Sequence, residues 1–178
     1  MILKSDIIGK AINNAYKNIK DRKKTPLIYL SPRGKPLTQN KINQLSKKDG
    51  LIILCGRYEG IDQRISDYYK VDEYSIGDFI LAGGEIAAQA LIESTVRLLP
   101  GTLGHKDSSK EESFNNYLLE FPQYTRPKVW NSLTIPEVLL SGDHKKIALW
   151  RKEMAEKLTK KIRPDLWKKY KKNKTIKK

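Results

Sequence analysis

Two glycine-bearing loops carry the residues best suited to hold a small molecule. The first is Gly56-Arg57-Tyr58-Glu59-Gly60, which with Cys55 follows the apolar run Leu51-Ile52-Ile53-Leu54. The second is Ser75-Ile76-Gly77-Asp78-Phe79-Ile80-Leu81-Ala82-Gly83-Gly84-Glu85, which leads into a helical pattern. Glycine has no Cβ, so its backbone amides can approach a ligand closely. In open α/β sheets, ligands bind outside the carboxyl ends of the strands, where such loops lie. The second loop mixes apolar residues with glycine and suits an adenosine-like group. Gly56 and Gly60 do not have the G-x-G-x-x-G spacing of a dinucleotide fold, and no G-x-x-x-x-G-K-[ST] phosphate loop occurs. Either loop alone also reads as an ordinary turn; the two together point to one pocket.

The elements that must position these loops alternate. Ser5 caps an expected helix to Lys20, with Ile8, Ala11, Ile12, Ala15 and Ile19 at helical spacing. Pro26 to Leu30 reads as a strand ended by Ser31-Pro32-Arg33-Gly34. Thr38 caps a short helix carrying Ile42 and Leu45. Leu51 to Leu54 has the uninterrupted apolar character of a strand buried on both faces. Gly60 to Tyr69 reads as a helix with Ile61 and Ile65 inward, and Glu73 to Ile76 as a strand. Glu85 to Leu98 is a helix, with Ile86, Ala90, Leu91 and Leu98 as its core positions. This alternation predicts an α/β domain with a parallel sheet.

The composition then changes. Residues 105–112 are polar and read as a linker. Ser141-Gly142-Asp143 starts a helix on which Ile147, Trp150, Met154, Leu158 and Ile162 share an apolar face, with Lys146, Lys152 and Lys157 opposite. The chain of 178 residues carries a net charge of +15. From Lys145 to Lys178 there are fifteen basic residues against three acids, so most of the excess lies in the last fifth of the chain. Such asymmetry suits a polyanion such as RNA, although Lys171 to Lys178 also reads as a solvated, disordered tail. No apolar stretch approaches eighteen residues, and Met1 to Asp6 lacks the features of a secretory leader. The lone Cys55 allows no internal disulfide and fits a cytoplasmic setting. His105 and His144 lie far apart with no cysteine near either, so no zinc site is expected.

The motifs are more specific than the composition. Tyr29-Leu30-Ser31-Pro32, the Cys55–Asp62 run (CGRYEGID) and the Ser75–Glu85 run (SIGDFILAGGE) appear in that order. Pro100-Gly101-Thr102-Leu103-Gly104, Tyr124-Thr125-Arg126-Pro127, Pro136 to Gly142 and Trp150-Arg151 follow. With these motifs the chain resembles the bacterial tRNA (guanine(37)-N1)-methyltransferases of the SPOUT class over nearly its whole length. The resemblance implies a parallel sheet with a deep trefoil knot over residues 1–104, a flexible linker over 105–113, and a small α-helical, basic tRNA-binding domain over 114–178. It implies that three loops, Tyr29 to Pro32, Gly56 to Gly60 and Ser75 to Gly84, hold S-adenosylmethionine. It also implies a homodimer with active sites at the subunit interface, and Mg²⁺ for turnover, although no metal-ligating cluster is legible.

The implied chemistry is methyl transfer to N1 of guanosine-37 of tRNA. Guanine N1 is a poor nucleophile until its proton leaves, so a base must take that proton and a cation must stabilise charge at O6. By motif, the cation is Arg97 and the base is Glu112, where the family has aspartate. The extra methylene of Glu112 moves the carboxylate, and small misplacements cost rate. Tyr124-Thr125-Arg126-Pro127 and the basic helix assign tRNA contacts to Arg126, Lys145, Lys146, Arg151 and Lys152. The family also has a strand, a helix and a glycine-rich segment before the position of Met1, so the chain reads as N-terminally truncated. Two readings follow: an active methyltransferase, or a non-catalytic cofactor- or RNA-binding remnant of one.

Overall fold

The computed structural model describes residues 1–102 and 112–176, in two compact units, Met1–Gly104 and His105–Lys178. The centre of the first unit is a parallel sheet in the order β2-β1-β3, formed by β1 (Leu27–Pro36), β2 (Ile52–Cys55) and β3 (Asp72–Ser75). Parallel neighbours need crossovers, and α2 (Gln39–Leu45) and α3 (Gln63–Tyr69) lie within them. The Thr38 side chain caps α2 by accepting from the Lys41 amide, and Asp62 caps α3 by accepting from the Arg64 amide at 3.0 Å.

The two-residue period of β1 divides the core. Ile28 and Leu30 pack with Ile42 and Leu45 of α2 and with Ala87, Ala88 and Leu91 of α4 (Glu85–Val96). Leu27 and Tyr29 pack in a second cluster with Ile8 and Ile12 of α1 (Ser5–Ala15) and with Ile61 and Ile65 around the start of α3. The sheet is therefore covered on both faces, which accounts for the uninterrupted apolar runs of β1 and β2.

Several expectations need correction. The first helix ends at Ala15 rather than Lys20, and Lys4, not Ser5, occupies its cap position without a side-chain bond. The strand expected to stop before Ser31 continues to Pro36. Leu30 and Lys35 both pair with Tyr74, so Ser31 to Gly34 form an excursion from one continuous strand. Gly34 closes that excursion: a Cβ there would lie 2.5 Å from the Tyr74 backbone nitrogen. On α4, the expected core residues Ile86 and Ala90 are exposed, and Ala87, Ala88, Leu91 and Thr95 are buried instead. The helix approaches the sheet through small side chains, which a reading weighted by side-chain size misses.

The second unit contains α5 (His144–Ile162) and α6 (Pro164–Ile176). Asp143 caps α5, accepting from the amides of Lys145 and Lys146 at 3.0 and 3.1 Å. Thr159 is fully buried; its hydroxyl donates to the Ala155 carbonyl and accepts from the Leu119 amide. The Tyr170 hydroxyl donates to Glu156 at 2.6 Å, tying α6 to α5. Burial, reinforced by that carboxylate, pushes the Tyr170 phenol up to about 12. A short antiparallel hairpin joins β4 (Val129–Trp130) to β5 (Leu133–Thr134). Its turn residues Asn131 and Ser132 both have positive φ, as tight hairpins require. Ile162, expected on the apolar face of α5, is exposed. The expected solvated tail from Lys171 is helical as far as Ile176. The expected linker lies outside the described residues up to Glu111.

Candidate active site

The sheet register brings the three loops together. Leu30 stands opposite Cys55 on one side and Tyr74 on the other, so the excursion after Leu30, the loop after Cys55 and the end of β3 lie at one level of the sheet. The segments that follow surround a cavity of about 310 Å³ at the carboxyl ends of the strands. Tyr29, Leu30, Ser31 and Pro32 line it from the first loop. Gly56, Arg57, Tyr58, Glu59 and Gly60 line it from the second. Ser75, Ile76, Gly77, Phe79, Ile80, Leu81, Gly83 and Gly84 line it from the third. Of the residues expected around a cofactor, only the exposed Asp78 is not on the wall. Ala82, within the expected third loop, lines it too, and Arg33, Tyr74 and Ala87 also line the cavity and were not anticipated. Arg33 was adjacent to the Tyr29-Leu30-Ser31-Pro32 motif and within reach of sequence reasoning. Tyr74 and Ala87 enter only through the pairing of β3 and the packing of α4.

Glycines fit the loops to one another as much as to any ligand. A Cβ on Gly56 would lie 2.7 Å from the Tyr29 hydroxyl, and one on Gly60 would lie 2.9 Å from it. Gly60 has a φ of +99°, which a side chain would strain. The Gly84 amide donates to the Gly56 carbonyl at 2.9 Å. A Cβ on Gly84 would lie 2.9 Å from Cys55 Cα, so the third loop rests directly on the backbone of the second. Gly84 therefore both lines the cavity and packs against protein. In the third loop, the Ser75 hydroxyl donates to the Gly77 carbonyl at 2.9 Å and accepts from the Gly77 amide at 3.2 Å, closing a tight turn.

The electrostatics around the cavity are uneven. Arg57 Nε donates to Glu85 Oε1 at 2.9 Å. A bond from its own backbone amide, reinforced by Arg57, holds the Glu85 carboxyl below the usual carboxylate range. Burial pushes the Tyr29 phenol and the Cys55 thiol up, so both stay protonated at neutral pH. Leu30, Ile76 and Ala87 supply apolar wall beside these groups, a combination that suits a nucleoside-like ligand.

The remaining candidates lie elsewhere. Arg97 ends α4, half-buried, and is not part of the cavity wall. Glu112 is half-buried in the second unit. Arg126, Lys145, Lys146 and Lys152 are exposed there. The Lys146 ammonium lies 3.4 Å from Asp143, which offsets part of its charge. Arg151 is half-buried, with its guanidinium 4.8 Å from the Phe121 ring centre. Among the described residues, no group of three or more His, Cys, Asp or Glu side chains is placed to hold a metal ion. No helix there is long and apolar enough to cross a membrane.

Comparison with known proteins adds an independent finding. The model of the family described as tRNA (Guanine-1)-methyltransferase TrmD matches residues 1–169. A protein of Cereibacter sphaeroides strain KD131 named tRNA (guanine-N(1)-)-methyltransferase is 56% identical over 171 residues, covering 96% of this chain and 69% of that protein. One of the same name from Ruegeria sp. strain TM1040 is 52% identical over 170 residues, with the same two coverages.

Proposed function

We propose, from the premise that this chain belongs to the tRNA (guanine-1)-methyltransferase family, that it transfers a methyl group from S-adenosylmethionine to N1 of guanosine-37 in tRNA. The observation that carries the proposal is the convergence of all three expected loops on one cavity.

The cavity fits the cofactor on its own chemistry. Leu30, Ile76 and Ala87 offer an apolar wall, Arg57 and Glu59 offer charge, and the loops offer backbone amides. Bound there, the cofactor supplies an electrophilic methyl group. The loop residues bind it and hold its orientation; their mutual glycine contacts keep the wall from spreading. Glu112 takes the N1 proton of guanine, and Arg97 stabilises the negative charge that develops at O6. Arg126, Lys145, Lys146 and Lys152 contact tRNA phosphates, supported by their exposure and by the basic excess of the segment that carries the last three. Arg151, expected among them, is assigned a packing role on Phe121 as well.

The deep trefoil knot, the linker over 105–113, the domain division at residues 104 and 114, and a cytoplasmic location belong to the same proposal. So does the homodimer with active sites at the subunit interface. Ile92, Val96 and Leu99 support it: they form an exposed apolar stripe along α4 and just past its end, where a second copy would bury apolar surface. Mg²⁺-dependent turnover is proposed as well; chelation should slow methyl transfer without weakening cofactor binding.

The test is incubation with labelled S-adenosylmethionine and unmodified tRNA, followed by nucleoside analysis. Label in 1-methylguanosine supports the proposal. Cofactor binding by calorimetry without any transfer would leave the chain as a non-catalytic remnant.

A further inference from the structure

Glu85 lies outside the cavity wall, yet it is bonded to a residue on that wall. Arg57 lines the cavity from the second loop, and its Nε donates to Glu85 Oε1 at 2.9 Å. Arg57 also forms an isolated antiparallel bridge with Gly83 of the third loop. One residue away on each side, the Gly84 amide donates to the Gly56 carbonyl. The ion pair and the backbone pairing therefore form one two-point latch between the second and third loops.

Gly83 is part of the same arrangement. A Cβ there would collide with the Glu85 carboxylate and would lie 2.8 Å from Arg57 Nε. The ion pair thus lies flat over the backbone of the third loop, in space that only glycine leaves open. Glu85 is also the first residue of α4, whose Ala87, Ala88 and Leu91 are buried against the sheet. One end of the latch is anchored in the core, and the other is at the rim of the cavity.

We infer that Glu85 is a positioning residue for the cofactor site: through Arg57 it fixes the second loop against the third and so sets the shape of the cavity they share. The inference rests on the proposed cofactor reading for its effect on binding, but not for the latch itself. Both partners are about half exposed, at 55% and 48%, so the effect is expected to be modest.

The test is a double-mutant cycle of Arg57→Gln and Glu85→Gln with two readouts, the hydrogen-exchange rate of the Gly84 amide and the calorimetric affinity for S-adenosylmethionine. Glu85→Gln should speed exchange and weaken affinity, each about two- to fivefold. It should add nothing further in the Arg57→Gln background. Glu85→Asp, which keeps the carboxylate on a shorter stem, should fall between Glu85→Gln and the parent. Equal effects of Glu85→Gln in both backgrounds would overturn the inference, because the acid would then act on α4 rather than through Arg57. No effect on Gly84 exchange would overturn it as well. A parent chain that binds no S-adenosylmethionine would defeat the proposed function, while the exchange arm would still decide whether the latch exists.

Discussion

The Tyr29 hydroxyl occupies the space in which a Cβ of either Gly56 or Gly60 would fall, 2.7 and 2.9 Å from those positions. A central-strand side chain thus sets the closest approach of the second loop to the sheet. Gly56→Ala should displace the ring and cost about 1–3 kcal/mol of stability, with weaker cofactor binding. Tyr29→Phe removes the nearest atom and should recover part of that loss in the double variant. Denaturation midpoints of the two singles and the double decide it. Strict additivity would mean that the contact does not govern the loop.

Gly84 makes a stronger demand, because its neighbours are backbone atoms that cannot swing away. Gly84→Val should destabilise the first unit by about 2–3 kcal/mol, and Gly84→Ala by less. Loss of cofactor binding should accompany loss of stability rather than occur in an otherwise unchanged fold. Thermal unfolding with and without S-adenosylmethionine separates these outcomes.

The sequence made the element types legible where periodicity and caps agreed, as for α2 after Thr38; α3 was legible as a helix, but its start at Gln63 after the Asp62 cap, rather than at Gly60, was not. It made the two glycine loops legible as one pocket. The family motifs added the first loop, and their spacing alone did not. The course of β1 was not legible, because Ser31 to Gly34 carry real turn chemistry. The return of Lys35 to Tyr74 depends on a strand far away in sequence. The buried face of α4 was misread because alanines, not Ile86, meet the sheet. The helicity of Lys171 to Ile176 was hidden by lysines; the α5 contacts through Tyr170 and Glu156 supply what local composition lacks.

Acid stability should depend on Asp62. Hydrogen bonds from Arg64 lower its carboxyl from 3.8 to about 2. A carboxyl whose pKa falls on folding adds stability above its unfolded value and loses it as pH drops through the folded value. The contribution should therefore be full above about pH 4 and fade towards pH 2. Asp62→Asn should flatten the urea midpoint over that window. An unchanged slope would mean that the Arg64 pair does not persist in solution.

Salt dependence separates phosphate contacts from packing in the second unit. Lys145→Ala with Lys152→Ala should lower the slope of log affinity for tRNA against log salt by up to about 0.9 per lost phosphate contact. Arg151→Ala should lower the slope as well and also cost about 1–2 kcal/mol of stability through its lost contact with Phe121. Titrations at several ionic strengths, beside thermal melts, distinguish the two roles. An unchanged slope for Arg151→Ala would leave that residue with packing alone.

The proposed base and cation make kinetic predictions. Glu112→Gln should slow single-turnover methyl transfer by about 10²–10⁴-fold and leave cofactor affinity nearly unchanged. Glu112→Asp places the family's residue at that position and should retain transfer. Arg97→Ala should also slow transfer, through lost stabilisation at O6. Parent-like transfer by Glu112→Gln would place the base elsewhere, with Glu111 the first candidate.

The most direct measurement of the central claim uses two tRNA transcripts that differ only at position 37. With labelled S-adenosylmethionine and the unaltered chain, the transcript bearing guanosine-37 should gain one methyl group, recovered as 1-methylguanosine. The transcript bearing adenosine-37 should gain none. Equal labelling of both, or methyl recovered at another atom or another guanosine, would contradict the assignment of this cavity and these residues to N1 methylation of guanosine-37.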